Sequence, residues 1–299
     1  MIRSLRKLSQ RMNDGNILNT YTKSKWFGIV KAFLIILVAT IVNDWVASWI
    51  PVNKLPVSHF WQVIAARTLT TLLSLTAMKI FFPKSMSRVK TRISTKRLLV
   101  GIGVISYLTL PPLLSSHMFS FTAPKIFEGL IFALFIGIDE EFFSRGFIYA
   151  SLEGYGVLVA TVISSVHFGL LHLGNIFWGG QSVSYTLAQV LTAASFGYLA
   201  VGLMLYTGSI WFPILLHGLI DSPMQFEGFV HYTKEVTGHA NWVGSLIQAF
   251  VDCAIGWILI QLSDPKKVLR LTGWFRSKNL FVHENEPEVL IHDDPENIS

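Results

Sequence analysis

From Phe27 onward the chain divides into apolar stretches about as long as a bilayer is thick, a pattern that removes most folds from consideration. A helix rises about 1.5 Å per residue, so about 20 apolar residues cross the hydrocarbon core. Eight stretches reach that length: Phe27–Ile50, Phe60–Phe82, Leu98–Ser116, Ala123–Leu152, Gly156–Gly174, Ser184–Tyr206, Ser209–Phe226 and Trp242–Leu262. In lipid the backbone must satisfy its own polar groups, so each stretch is expected to be helical. Breakers stand at the joins, among them Pro51, Pro83, Pro124, Gly156, Gly180 and Gly208. Pro111 and Pro112 fall inside the third stretch, which predicts a kink or an early end there. The expected fold is an all-α membrane protein, a polytopic bundle of about eight transmembrane helices enclosing an intramembrane cavity. Only 14% of the residues are charged, against about a quarter in soluble domains.

The net charge of +6 invites a nucleic-acid reading, but the placement of the charge argues against it. Basic residues gather in the segment 1–25 (Arg3, Arg6, Lys7, Arg11, Lys23), in the loop Lys84–Arg97, and after the last span (Lys266, Lys267, Arg270, Arg276). Under the positive-inside rule all three face the cytosol, so both termini lie there and the chain sits in the cell membrane with an even number of spans. The loops 51–59, 175–183 and 227–241 then face outward. The first 25 residues lack the apolar core of a cleaved signal, and the first span reads as an uncleaved anchor. The organisation is a basic segment 1–25, a membrane body 26–264 and a tail 265–299 that turns from basic to acidic (Glu284, Glu286, Glu288, Asp293). The stretch 277–299 reads as a solvated tail and is a candidate docking segment for a protein partner. The single cysteine, Cys253, permits no internal disulfide.

Ionisable residues inside spans are costly and mark pairs, wet cavities or chemistry. Three groups stand out: Asp139-Glu140-Glu141 with Arg145, Phe168 with His172, and His217 with Asp221. On a helix Glu141 and Arg145 are four residues apart and can pair, while Glu140 points about 100° away and is free to act as a base. Asp139 and Glu140 have no cation on their own helix face. His217 and Asp221 also share a face, so that the aspartate orients the imidazole or both present hydrogen bonds to an oxyanion. The Phe168 ring packs one turn below His172, and His167, on another face, reads as a packing residue. Counted from the inner ends of their spans, Glu140 lies about 18 Å deep, His172 about 25 Å, and His217 and Asp221 about 14 and 20 Å. These depths overlap, so the three groups can meet. No His-Glu-x-x-His, glycine-rich phosphate loop or Walker lysine occurs. The two histidines are conceivable metal or haem ligands, but the acidic cluster favours hydrolysis.

Glu140-Glu141-x-x-x-Arg145, Phe168-x-x-x-His172 and His217-x-x-x-Asp221 resemble, in order and helical context, the motifs of the CPBP (CAAX protease and bacteriocin-processing, ABI) family of intramembrane endopeptidases. The resemblance covers the motif core 123–225. It implies a conical catalytic cavity open to cytosol and lipid, and cleavage of membrane-associated or short hydrophobic peptides. Glu140 would activate water with help from His172, while His217 and Asp221 hold the oxyanion; Glu141, Arg145 and Phe168 would support them. The family is also described as zinc-dependent, which would make Glu140, His172 and His217 ligands. The cofactor is thus none or Zn²⁺, and the missing two-ligand helix motif favours the metal-free glutamate form. Asp221 stands where eukaryotic relatives carry asparagine, so its role shifts toward orienting His217. Bacterial members are linked to bacteriocin self-immunity and peptide processing, and prenylated CAAX substrates are the lesser expectation. Two rivals remain: a catalytically silent regulatory or scaffold protein of the same fold, and a proton-coupled transporter using the same side chains as a relay.

Overall fold

The computed structural model describes residues 33–49, 59–115, 120–177, 180–227 and 239–263. Of these 89% are helical and none lies in a strand. The basic segment 1–25, the tail 265–299 and most of the loops 51–59 and 227–241 lie outside the described residues. In chain order the α-helices are α1 (Phe33–Ala47), α2 (His59–Phe81), α3 (Thr95–Ser115), α4 (Ala123–Glu141), α5 (Tyr149–Leu152), α6 (Val157–Leu171), α7 (Gly174–Phe177), α8 (Val183–Thr207), α9 (Trp211–Glu227) and α10 (Trp242–Ser263). A π-helical turn, Phe142–Ile148, joins α4 to α5, and short 3₁₀ segments follow α2 and α5. Five stretches are long and apolar enough to cross a membrane: Phe60–Phe81, Thr95–Leu114, Val157–Phe177, Val183–Thr207 and Trp242–Ser263. The other three predicted stretches contain helix too. Of these, α9 has only 17 residues and α4 carries the acidic triplet.

Helix α3 does not stop at its prolines: Pro111 and Pro112 lie within it and it ends at Ser115. The physical reason is that the two prolines free only the carbonyls of Tyr107 and Leu108, and membrane helices accommodate such groups. Helix α8 has clear stops at both ends. Ser182 caps it by accepting a hydrogen bond from the Tyr185 N–H, and Gly208 ends it in the left-handed region at φ 74°.

The buried middle of the bundle is α8, whose residues Leu199 to Met204 are all inaccessible. One core cluster joins it to α2, the π turn and the start of α9 through Met78, Phe142, Ile148, Met204 and Ile214. A second joins it to α3, α9 and α10 through Ile105, Leu203, Leu216 and Leu259. Apolar side chains also cover the outside, including Phe33, Trp61, Leu99, Tyr107 and Phe250. Such a surface suits lipid and would be a liability in water.

Between apolar helices in lipid, close packing replaces the hydrophobic effect, and glycines permit it. A Cβ on Gly137 of α4 would stand 2.8 Å from the Ile214 carbonyl oxygen of α9. One on Gly218 of α9 would stand 3.1 Å from Leu134 Cα of α4. The two helices therefore touch backbone to backbone next to both acidic motifs. The segments 82–94, 153–156 and 208–211 gather at one end of the bundle. There Arg88 pairs with Glu153, the Ile210 N–H donates to the Arg88 carbonyl (3.1 Å), and Trp211 Nε1–H donates to the Val89 carbonyl (3.1 Å).

Candidate active site

Close contact of α4 with α9 brings the first and third sequence motifs together. Glu141, fully buried, lies at the junction. Its Oε1 accepts a hydrogen bond from His217 Nδ1–H at 2.9 Å, and its Oε2 forms an ion pair with Arg145 Nε at 3.1 Å, at an angle outside hydrogen-bond geometry. The pair of Glu141 with Arg145 expected from their spacing is thus present, and Glu141 also fixes the tautomer of His217. A carboxylate beside a guanidinium can only accept, so the Nδ1 proton belongs to the imidazole. The other nitrogen of His217, Nε2, lies 3.4 Å from Asp221 Oδ2 and 3.8 Å from Glu140 Oε2. Asp221 therefore touches the reactive side of the ring, while Glu141 holds the opposite side.

Aromatic rings enclose the imidazole and the guanidinium. His217 lies between Phe168 and Phe196, at ring distances of 5.8 and 5.0 Å. The Arg145 guanidinium, only 1% exposed, stacks over Phe168 at 4.4 Å and faces Phe196 at 5.7 Å. Those π faces offset part of the cost of burying its charge. Phe168 thus does more than pack below His172, although that edge contact is also present at 5.3 Å.

His172 follows the last residue of α6, where its Nδ1 donates to the Phe168 carbonyl at 3.1 Å. A carbonyl oxygen only accepts, so Nδ1 carries the proton and Nε2 keeps its lone pair. The ring lies within coulombic reach of Glu140. His167 takes no part in this group. It contacts Thr40 of α1 at 3.0 Å and Phe143 at a ring distance of 6.2 Å, as a packing histidine would.

Sequence reasoning missed a partner for the acidic pair. Arg67 of α2 reaches across to both carboxylates through one nitrogen: Nη1 lies 2.9 Å from Asp139 Oδ2 and 3.1 Å from Glu140 Oε1. Thr70, one turn on, donates to Asp139 Oδ1 at 2.6 Å. Asp139 and Glu140 therefore do have a cation, supplied by another helix. A signal was present in the sequence, because Arg67 is an arginine inside an otherwise apolar stretch. Phe196 had no comparable signal.

Glu140 retains 25% of its side-chain exposure and Asp221 26%, whereas Glu141 and Arg145 have almost none. The accessible carboxylate oxygens thus sit on a rigid, buried ion-paired base. Such a set can take a proton from water and stabilise an anion close by. Among the described residues no three His, Cys, Asp or Glu side chains converge in a metal-holding group. His217 engages Nδ1 with Glu141 and directs Nε2 toward Glu140 and Asp221, an orientation that carboxylate-held imidazoles also use to bind metal, so Glu140, His172 and His217 are the residues that would hold a zinc ion. A largely apolar cavity of about 630 Å³ lies nearby between α1, α2 and the π turn, lined by Leu34, Val38, Leu73, Ala77, Phe143 and Phe147. None of the motif residues lines it.

Residues 122–222 match the sequence model of a family described as type II CAAX prenyl endopeptidase Rce1-like. This bears out the resemblance to the CPBP endopeptidases for the segment holding all three motifs. Arg67 lies outside it. No curated protein matches the chain.

Proposed function

We propose that this chain is an intramembrane endopeptidase that uses Glu140 to activate water against peptide bonds in membrane-associated or short hydrophobic peptides. The observation that carries the reading is the position of Glu140: one carboxylate oxygen is held by Arg67, and the other faces His217 across 3.8 Å at a partly open site. The family match of the same segment supports the peptidase class. Eight crossings of the cell membrane with both termini in the cytosol accord with the clustering of segments 82–94, 153–156 and 208–211 at one end. The tail segment 277–299 is the proposed docking region for a protein partner.

The chemistry follows from the hydrogen-bond polarity. Water between Glu140 Oε2 and His172 Nε2 gives its proton to the carboxylate as its oxygen bonds to the scissile carbonyl carbon. His217 Nε2–H, in its protonated form, faces the carbonyl oxygen as negative charge gathers there. Glu141 holds the ring at Nδ1 throughout, as carboxylate–histidine pairs do. Asp221 limits rotation of the ring from the other side. When the carbon–nitrogen bond breaks, the proton on Glu140 passes to the departing amine and the carboxylate is restored. No step requires a metal.

The description of the matched family favours a second substrate class, peptides carrying a prenylated C-terminal cysteine. One experiment addresses both. Purified protein in lipid micelles is given quenched hydrophobic peptides with and without a prenyl group, beside Glu140→Gln and His172→Ala variants. Cleavage by wild type that both variants lose supports the reading, and the preferred peptide set names the substrate class. Equal cleavage by wild type and Glu140→Gln rejects it. A silent scaffold predicts that Glu140→Gln rescues a deletion phenotype in full, and a proton-coupled transporter predicts flux that collapses with the proton gradient.

A further inference from the structure

Arg67 comes from α2, outside the matched segment, yet it makes the closest cationic contact to the open carboxylate of the site. Its guanidinium is half-buried, and a single nitrogen, Nη1, serves Asp139 and Glu140 together. Asp139 is held in turn: its Oδ1 accepts from Thr70, three residues further along the same helix as Arg67, and only Oδ2 faces the guanidinium. The one hydroxyl proton of Thr70 goes to Asp139, the nearest acceptor, so arginine, threonine and aspartate form one closed unit. Among the described residues Glu140 has no such second hydrogen-bond anchor. Only its Oε1 contacts Arg67, and Oε2 is the oxygen left toward His217.

We propose that Arg67 is a positioning residue of this site, with Asp139 as its brace. It pins Oε1 of Glu140 so that Oε2 alone meets the reacting water, and it sets a guanidinium charge directly against that carboxylate. The other charged groups around Glu140 make this role necessary. Asp139 and Glu141 adjoin it on its own helix and Asp221 approaches from α9, while Arg145 is engaged by Glu141 and the imidazoles of His172 and His217 lie close by. Four carboxylates thus face two guanidiniums and two imidazoles. Without Arg67, Glu140 loses the cation at its Oε1 while Asp139 keeps its hydrogen bond from Thr70, so a proton is more easily taken up on Glu140. A proton on Glu140 removes the base. The single-nitrogen bridge gives the proposal its discriminating feature, because a lysine ammonium can occupy the same point while a neutral amide cannot.

The proposal rests on the peptidase reading for its catalytic consequence but not for its geometry, and the test separates the two. An apolar carbodiimide reacts with protonated carboxyls in apolar sites. The rate of its addition to Glu140, followed by peptide mass in the intact detergent-purified protein, reports the Arg67 contact whether or not the protein cleaves anything. Arg67→Gln is expected to raise that rate at least tenfold, and Arg67→Lys to stay within threefold of wild type. With a peptide that wild type cleaves and Glu140→Gln does not, Arg67→Gln is expected to lower kcat at least thirtyfold with KM within threefold, and Arg67→Lys to recover most of kcat. Asp139→Asn, which keeps the shape of the brace, is expected to lower kcat less than tenfold. An unchanged labelling rate in a folded Arg67→Gln protein overturns the proposal. Should Arg67→Gln fail to fold, equal labelling of Glu140 in Arg67→Lys and in Thr70→Val at rates tenfold above wild type overturns it as well, since the ammonium then does not replace the guanidinium. Unchanged cleavage by Glu140→Gln together with the expected labelling pattern would reject the peptidase reading and leave the role of Arg67 intact.

Discussion

Replacing Glu141 by glutamine keeps the shape of the side chain and removes its charge, which isolates the worth of that charge at the buried junction. Glu141 has 0% side-chain exposure and Arg145 1%, so no water reaches either group. Breaking one partner of such a pair costs about 3–5 kcal/mol, because the other charge stays buried without compensation. Two features adjust that figure here. The rings of Phe168 and Phe196 still face the guanidinium, which retains about 1–2 kcal/mol of cation–π attraction. The amide oxygen of glutamine can still accept from His217 Nδ1–H, although more weakly than a carboxylate. The expected loss for Glu141→Gln is therefore about 3 kcal/mol, read from reversible unfolding in mixed micelles. Arg145→Met should cost a comparable amount, and the double variant should cost about as much as either alone, giving a coupling of about 2–3 kcal/mol. Single-variant losses below about 1 kcal/mol, as exposed pairs give, would refute the account of a dehydrated ion pair.

Other expectations follow from the same geometry. Glu140→Gln and His172→Ala should each lower peptide cleavage by about 10²–10⁴-fold, and a chelator should leave wild-type cleavage unchanged; loss with chelator and return with zinc would establish the ligand role of Glu140, His172 and His217. Gly137→Ala pushes a methyl group into the α9 backbone and should cost about 1–3 kcal/mol, with kcat falling as Glu141 separates from His217; an unfolding midpoint and kcat equal to wild type would show that the helices can part freely. Phe168→Leu should destabilise by about 1–2 kcal/mol through the lost ring over Arg145, and a cycle with Arg145→Met should assign most of that loss to the pair. By contrast Arg88→Ala, at the partly exposed contact with Glu153, should cost less than about 1 kcal/mol in the same unfolding assay.

The lengths and apolar character of the stretches located the helices well. Every predicted stretch contains helix, and the overlapping depths expected of the motif groups agree with Glu140, His217 and Asp221 coming together. Pairs four residues apart were legible because a helix dictates their meeting, and Glu141 with Arg145 is the example. Contacts that depend on how two helices cross were not legible. The partner at His217 Nδ1 is Glu141 of α4 rather than Asp221 of its own helix, and the cation for Glu140 comes from Arg67 of α2. The first depends on the close approach of α4 and α9 that Gly137 and Gly218 permit, the second on how α2 lies against α4, and periodicity carries no record of either. The wide turn after the acidic triplet is equally silent in the sequence, because Phe-Phe-Ser-Arg-Gly-Phe-Ile offers no proline or cap to announce it.

That wide turn, Phe142–Ile148, works as a rotational offset between two clients. Above it, the carboxylates must point at α2 and α9; at its far end Phe147 must reach Phe82, and just below it Tyr149 must meet Arg88. A single α-helix would tie both demands to one angular register of about 100° per residue. One extra residue in the winding releases the lower half from the upper. Deleting a residue from this segment would thus turn one half of the helix against the other by about a quarter of a circle, while leaving every residue of the acidic motif in place. Here the helix is a coupling with an adjustable phase, and the phase is set by a residue count that conserves none of the chemistry.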